Sequence, residues 1–81
     1  MQLRVRFWSY FTEITGTAEC VIEAPEEATV SQAMEIVEQQ FPKLAPLRRS
    51  TLHAIGCEYA LPTQVLKPGD ELSLFPPVQG G

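Results

Sequence analysis

Eighty-one residues with a formal net charge of −4 make one small domain. A chain of that size buries roughly 60–70% of its unfolded surface, which gives one modest core and excludes a deep active site. With 44% hydrophobic and 20% charged residues the composition argues against disorder, and the acidic balance argues against nucleic acid or an anionic membrane and for a basic partner.

The chain opens with "QLRVRFW", in which Leu3, Val5 and Phe7 alternate with Arg4, Arg6 and Trp8. This is the period of a half-buried strand, with Trp8 on the outward side. Arg4 and Arg6 interrupt the first apolar stretch, so a signal peptide is not expected there, and no apolar run is long enough to span a membrane. "SYFTEITG" breaks the alternation and reads as a turn or helical turn ending at Gly16. "AECVIEA" alternates again, with Cys20, Ile22 and Ala24 on one side, and is expected to form a hairpin with the first strand through a long loop.

"TVSQAMEIVEQQFP" is the clearest helix. Thr29 is a suitable N-cap, and Gln32 three residues later completes a capping box. Val30, Ala33, Met34, Val37 and Phe41 recur at helical spacing and mark a core-facing stripe. Glu35, Glu38 and Gln39 are assigned to the wet side, and Pro42 stops the helix. "KLAPLRRS" reads as a connection with Leu44 and Leu47 tucked beneath it and with Arg48 and Arg49 on a solvated loop.

"TLHAI" is a third strand, "GCE" a tight turn and "YAL" a short strand that Pro62 confines to an edge. His53 is expected to be a surface or half-buried strand residue. Cys20 and Cys57 lie 37 positions apart and form no close pair, so no metal site is expected, and two lone cysteines suit a reducing, cytoplasmic setting. "KPGD" carries the type II turn signature and launches the last strand, "ELSLF", with Leu72 and Leu74 on one face and Phe75 on the other.

The order strand, strand, helix, strand, short strand, strand is an α+β pattern. It resembles the β-grasp, or ubiquitin-like, roll, a mixed sheet wrapped on one main helix, with the domain over residues 1–77, although the pattern alone allows a few other α+β arrangements. That roll implies that the first and last strands are central, parallel neighbours. Trp8 and Phe75 would then lie together where residues 76–81 leave the sheet, as a partner-binding surface.

The closing "FPPVQGG" is unlike an ordinary polar end. Pro76 and Pro77 cannot extend the ladder, and they fix φ in an extended direction. Val78, Gln79, Gly80 and Gly81 form a flexible Gly-Gly tail over 78–81 with a reach of roughly 13 Å at about 3.3 Å per residue. A tail whose last two residues lack side chains can enter a slot too narrow for a Cβ and present only its carboxylate.

These residues carry a resemblance. "VRFWSYFTEITG", "TVSQAMEIVEQQFP", "LHAIGCEYAL" and "PGDELSLFPPVQGG" fall in the order found in the small subunits of molybdopterin synthase, which are ubiquitin-like sulfur carriers. The resemblance covers essentially the whole chain, and the proline-rich Gly-Gly ending is its most specific part. Thr12 stands where that family usually has a basic residue, and Gly56 where it often has asparagine.

The resemblance implies that an ATP-dependent adenylating enzyme of the ubiquitin-activating type converts the Gly81 carboxylate to an acyl-adenylate. Sulfur from a persulfide replaces the AMP and leaves a thiocarboxylate. The tail, with Pro76, Pro77, Val78, Gln79 and Gly80, inserts into a large subunit in a heterotetramer and donates sulfur to cyclic pyranopterin monophosphate, building the molybdopterin dithiolene. The chain itself binds no cofactor and is a sulfur donor, with the catalysis supplied by its partners. The readings still open are a carrier for thiazole synthesis or tRNA thiolation, a modifier joined to lysines through Gly81, and a plain interaction domain.

Overall fold

The computed structural model describes residues 1–77; the tail expected over 78–81 lies outside the described residues. Strand β1 (Gln2–Phe7) buries Leu3, Val5 and Phe7 and turns Gln2, Arg4 and Arg6 outward. A short helix α1 (Phe11–Thr15) closes on Gly16, whose φ of 78° is the left-handed geometry that glycine adopts without strain. Strand β2 (Glu19–Glu23) returns antiparallel to β1, pairing Leu3 with Ile22 and Val5 with Cys20.

Helix α2 (Val30–Gln40) starts where the capping box places it. The Gln32 backbone N–H donates to Thr29 Oγ1 at 3.2 Å, and the Thr29 N–H donates to Gln32 Oε1 at 2.8 Å. Two further donors of its first turn, the N–H groups of Val30 and Ser31, reach the carbonyls of Gln64 and Pro62, both at 2.9 Å. The segment after the fourth strand thus closes the helix end that would otherwise leave donors unpaired. Val30, Ala33, Met34 and Val37 are buried, and Phe41 meets Phe7 edge-on at 5.3 Å.

Three expectations need correction here. "KLAPLRRS" is a 3₁₀ helix over Pro42–Ser50, not a plain connection; Leu44 is buried and Leu47 partly so beneath it. Glu38 is not on the wet side. It accepts two hydrogen bonds from Arg48, from Nε at 2.8 Å and from Nη2 at 2.6 Å, so Arg48 is pinned where a solvated loop residue was expected. The 3₁₀ helix folds back against α2 and brings these two residues, ten apart in sequence, into one bidentate pair.

Strand β3 (Leu52–Ile55) turns at Gly56, with φ of 60°, into the two-residue β4 (Glu58–Tyr59). This is shorter than "YAL" suggested and starts one residue earlier. Glycine takes this left-handed geometry without strain. At the next turn Gly69 has φ of 88°, Asp70 N–H reaches the Lys67 carbonyl at 3.0 Å, and Lys67 N–H reaches Asp70 Oδ2 at 2.8 Å. The last strand, β5 (Glu71–Phe75), runs parallel to β1 and antiparallel to β3.

The sheet order is β2-β1-β5-β3-β4, a mixed sheet with the first and last strands at its centre. Its inner face and α2 enclose one core, in which Leu3, Val5, Phe7, Ile22, Val30, Met34, Val37, Leu72 and Leu74 all take part. Phe11 and Leu66, from α1 and the long connection, complete it. No helix among the described residues is long and apolar enough to cross a membrane.

Candidate functional site

The exit of the chain is defined by the sheet. β5 lies between β1 and β3, so Phe75, its last residue, is flanked by Leu52 on one side and by the end of β1 on the other. The ladder runs one residue past β1, because Trp8 N–H donates to the Leu74 carbonyl at 3.1 Å. Ser9 then takes φ of 55° and turns the chain away into α1. Pro76 has no N–H to give, so pairing ends at Phe75.

Trp8 and Phe75 meet where the alternation of their strands places them. Their rings stack at 5.6 Å with 14° between planes. Trp8 remains 38% exposed and Phe75 is half-buried beneath it. Arg6, on the same outer face, lays its guanidinium 4.6 Å from the Trp8 ring centre. Its Nε is buried and has no hydrogen-bond partner; the aromatic face is its principal contact. The same alternation that turned Trp8 outward also turned Arg6 outward two residues earlier, so its place in the cluster could have been inferred.

Beside the stack lies a depression of about 370 Å³ lined by Ser9, Tyr10, Leu52, Tyr59, Phe75, Pro76 and Pro77. Tyr10 is 41% and Tyr59 76% exposed. Sequence reasoning found Pro76, Pro77 and Phe75 and missed Tyr10, Leu52 and Tyr59. The last two join the site only because β3 and β4 pair beyond β5, a long-range arrangement with no local signal. Of the remaining expected site residues, Val78, Gln79, Gly80 and Gly81 lie outside the described residues.

Of the other reactive side chains, Cys20 and His53 lie on the inner side of the sheet, and Cys57 adjoins the surface, sharing a small depression with Tyr59 and Phe75. Cys20 is partly buried beside the core, and burial pushes its thiol pKa up, which keeps it protonated and unreactive. Cys57 is exposed in the turn after β3. His53 is more buried than expected, at 8% exposed, because it faces inward opposite Leu74. Desolvation lowers its pKa, and the positive charge of Arg48 lowers it further. The described exit therefore offers apolar rings, one stacked cation and an aimed backbone. It can hold a partner and point a chain end; it holds no acid–base pair.

Residues 5–81 match the model of the ThiS family. The human molybdopterin synthase sulfur carrier subunit is 36% identical over 83 residues, covering 99% of this chain and 94% of its own length. Among solved structures, SAMP1 from Haloferax volcanii superposes with a TM-score of 0.89 at 24% identity, with 100% of each chain covered. A chain from the complex of subunits 1 and 2 of molybdopterin-converting factor from Helicobacter pylori 26695 superposes with a TM-score of 0.70 at 24% identity, again over 100% of each. These superpositions agree with the β-grasp architecture.

Proposed function

This chain belongs to the ThiS family, and we propose that it serves as the sulfur carrier subunit of a molybdopterin synthase. The observation that carries the reading is the extent of the family match, which runs through Gly81 and so includes the Pro-Pro and Gly-Gly ending. The exit geometry supports it. Phe75 is held centrally between two strands, the prolines at 76 and 77 end the pairing, and exposed aromatics stand beside them for a partner to grip.

In this reading the chemistry is confined to Gly81. Its carboxylate attacks ATP in an adenylating enzyme, releasing pyrophosphate and forming an acyl-adenylate. A persulfide sulfur displaces AMP, and reductive cleavage of the resulting acyl disulfide by a thiol leaves the thiocarboxylate. In a large subunit, by likeness to the two-subunit complex of the Helicobacter pylori relative, the thiocarboxylate sulfur attacks cyclic pyranopterin monophosphate, and water hydrolyses the resulting thioester, leaving the sulfur on the substrate and returning Gly81 to a carboxylate. Two such transfers supply the dithiolene sulfurs. ATP is the cofactor of the activating enzyme, and this chain acts as a donor without catalysing a step. Trp8, Phe75 and the prolines hold and aim; Gly80 and Gly81 pass through slots where a Cβ would clash. Assembly with the large subunit is a heterotetramer in a cytoplasmic setting.

Reconstitution with adenylating enzyme, ATP, a sulfur source and the large subunit tests this, with intact mass and molybdopterin followed separately. Loaded protein is expected to gain about 16 mass units, the exchange of one oxygen for one sulfur. A variant lacking Gly81 ends about 3.3–3.6 Å short. Since about 1 Å of misplacement can cost roughly a hundredfold, it is expected to dock and yield no product. Wild-type yield from that variant would refute the sulfur-carrier reading. Lysine conjugates in place of the mass gain would favour a protein modifier.

A further inference from the structure

A second and larger depression adjoins the exit. Its volume is about 440 Å³, and Leu52 and Tyr59 line both. Met34, Ala60 and Pro62 make it apolar, Ser31 of α2 closes one side, and Arg48 and Arg49 stand on the wall that the 3₁₀ helix provides. The two arginines are adjacent in a chain that has only six basic residues against ten acidic ones. Arg48 is occupied by Glu38. Arg49 is exposed and makes no ion pair among the described residues.

An interface of standard size removes roughly 800 Å² from each partner. The accessible surface of the chain is 5108 Å², so a stable partner would cover roughly one-sixth of it, more than one stacked ring pair supplies. The inserting tail supplies part of that area, and the remainder spreads from the exit over the sheet. Toward β2 it meets Arg4 paired with Glu71 and then a single apolar residue, Val21, 58% exposed between the carboxylates of Glu19 and Glu23. Toward β4 it meets Tyr59 and Leu61, 76% and 70% exposed, and then the cavity. The apolar direction is the second.

We propose that this cavity receives one bulky apolar side chain of the large subunit, on a segment whose neighbouring carboxylate pairs with Arg49. The inference rests on the sulfur-carrier reading for the existence of that subunit. It extends the docking surface from the outer sheet face around the β4 edge to the start of α2. The apolar side chain supplies the anchor, and the carboxylate fixes which way the segment lies. A cation at the rim acts mainly on association rate and salt dependence, whereas a filled pocket acts on dissociation.

Two variants separate these parts. Arg49→Glu reverses the exposed charge. Ser31→Met fills the cavity from a helix position that tolerates methionine, since the Ser31 hydroxyl makes no hydrogen bond among the described residues. Both are checked for wild-type melting temperature, then titrated against the large subunit and, separately, loaded by the activating enzyme. Arg49→Glu is expected to bind the large subunit roughly tenfold more weakly and to lose much of the salt sensitivity of association. Ser31→Met is expected to bind at least tenfold more weakly with faster dissociation. Loading should be unchanged in both.

His53, the only histidine of the chain, lies on the cavity wall, so its ring resonances should shift when the wild-type complex forms. Unchanged affinity in both variants, with Trp8→Ala still weakened, overturns the cavity proposal and leaves the function standing. Impaired loading with intact affinity assigns the cavity to the activating enzyme and likewise overturns it. Failure of the wild-type chain to bind the large subunit at all overturns both readings.

Discussion

The two faces of β5 are built from five consecutive residues and do different work. Leu72 and Leu74 point inward, are 0% exposed, and close the core against α2. Phe75 points outward at the strand end, and its cover is the ring of Trp8, itself partly exposed. The inner face is complete within the chain. The outer end is complete only as a stack of two rings with Arg6 laid across it. Alternation of side chains along one strand thus lets the same five residues secure the fold and present a surface, with little coupling between the two.

The sharpest test of that separation lies on the inner face. Val37 of α2 is 0% exposed. Val37→Asp buries a carboxylate with no partner, at a cost of several kcal/mol or more. For a domain this small that is a large part of the total stability. The variant is expected to be unfolded by circular dichroism at 25 °C and to lose loading and docking together. A folded Val37→Asp protein would mean that the inner face is not the continuous core described above.

The outer face should respond the other way. Trp8→Ala removes the ring that covers Phe75 and supports Arg6. In the free chain the loss is about 1 kcal/mol, the usual worth of an aromatic pair. Against the large subunit it is expected to be about 1–3 kcal/mol, as for an aromatic anchor. Urea unfolding and calorimetry measure the two separately. Equal losses in both would break the contrast, because Trp8 would then be acting through the fold.

The contrast was readable from sequence where it follows from periodicity. Two-residue alternation in 2–8 and 71–75 placed Leu3, Val5, Phe7, Leu72 and Leu74 inside and Trp8 and Phe75 outside, and the helical period placed Val30, Met34 and Val37. The parallel pairing that joins the two aromatics came from the likeness to a known roll. What stayed hidden has no period. The Glu38–Arg48 pair depends on the 3₁₀ helix folding back on α2, and a stretch holding Pro42 and Pro46 gives no periodic signal for that. Phe11 enters the core from a helix of five residues and Leu66 from an irregular connection, and neither is long enough for spacing to distinguish a buried apolar residue from an exposed one. The exposed Tyr59 and the cavity beside it exist only once β3 has paired with β5 and β4 with β3.

The inner face carries the chain's histidine, and it gives the smallest expected effect. His53 points inward beside Leu74, and its Nε2 is buried without a partner. Desolvation is the larger cause of its lowered pKa, and the Arg48 charge adds to it. In the unfolded chain the imidazole titrates near about 6.5. As pH falls through that value the unfolded chain takes up a proton that the folded chain still refuses, so the unfolded state gains free energy of protonation and stability falls. The contribution is fully present above pH of about 6.5 and is lost progressively below it, until the lowered folded pKa is reached. Stability from urea unfolding should therefore decline as pH falls below about 6.5, toward the lowered folded pKa. His53→Leu keeps the site apolar and removes the proton, so its stability should be nearly flat across the same window. The outer face holds no histidine, and Trp8→Ala should keep the wild-type slope. A slope unchanged by His53→Leu would place the pH dependence elsewhere.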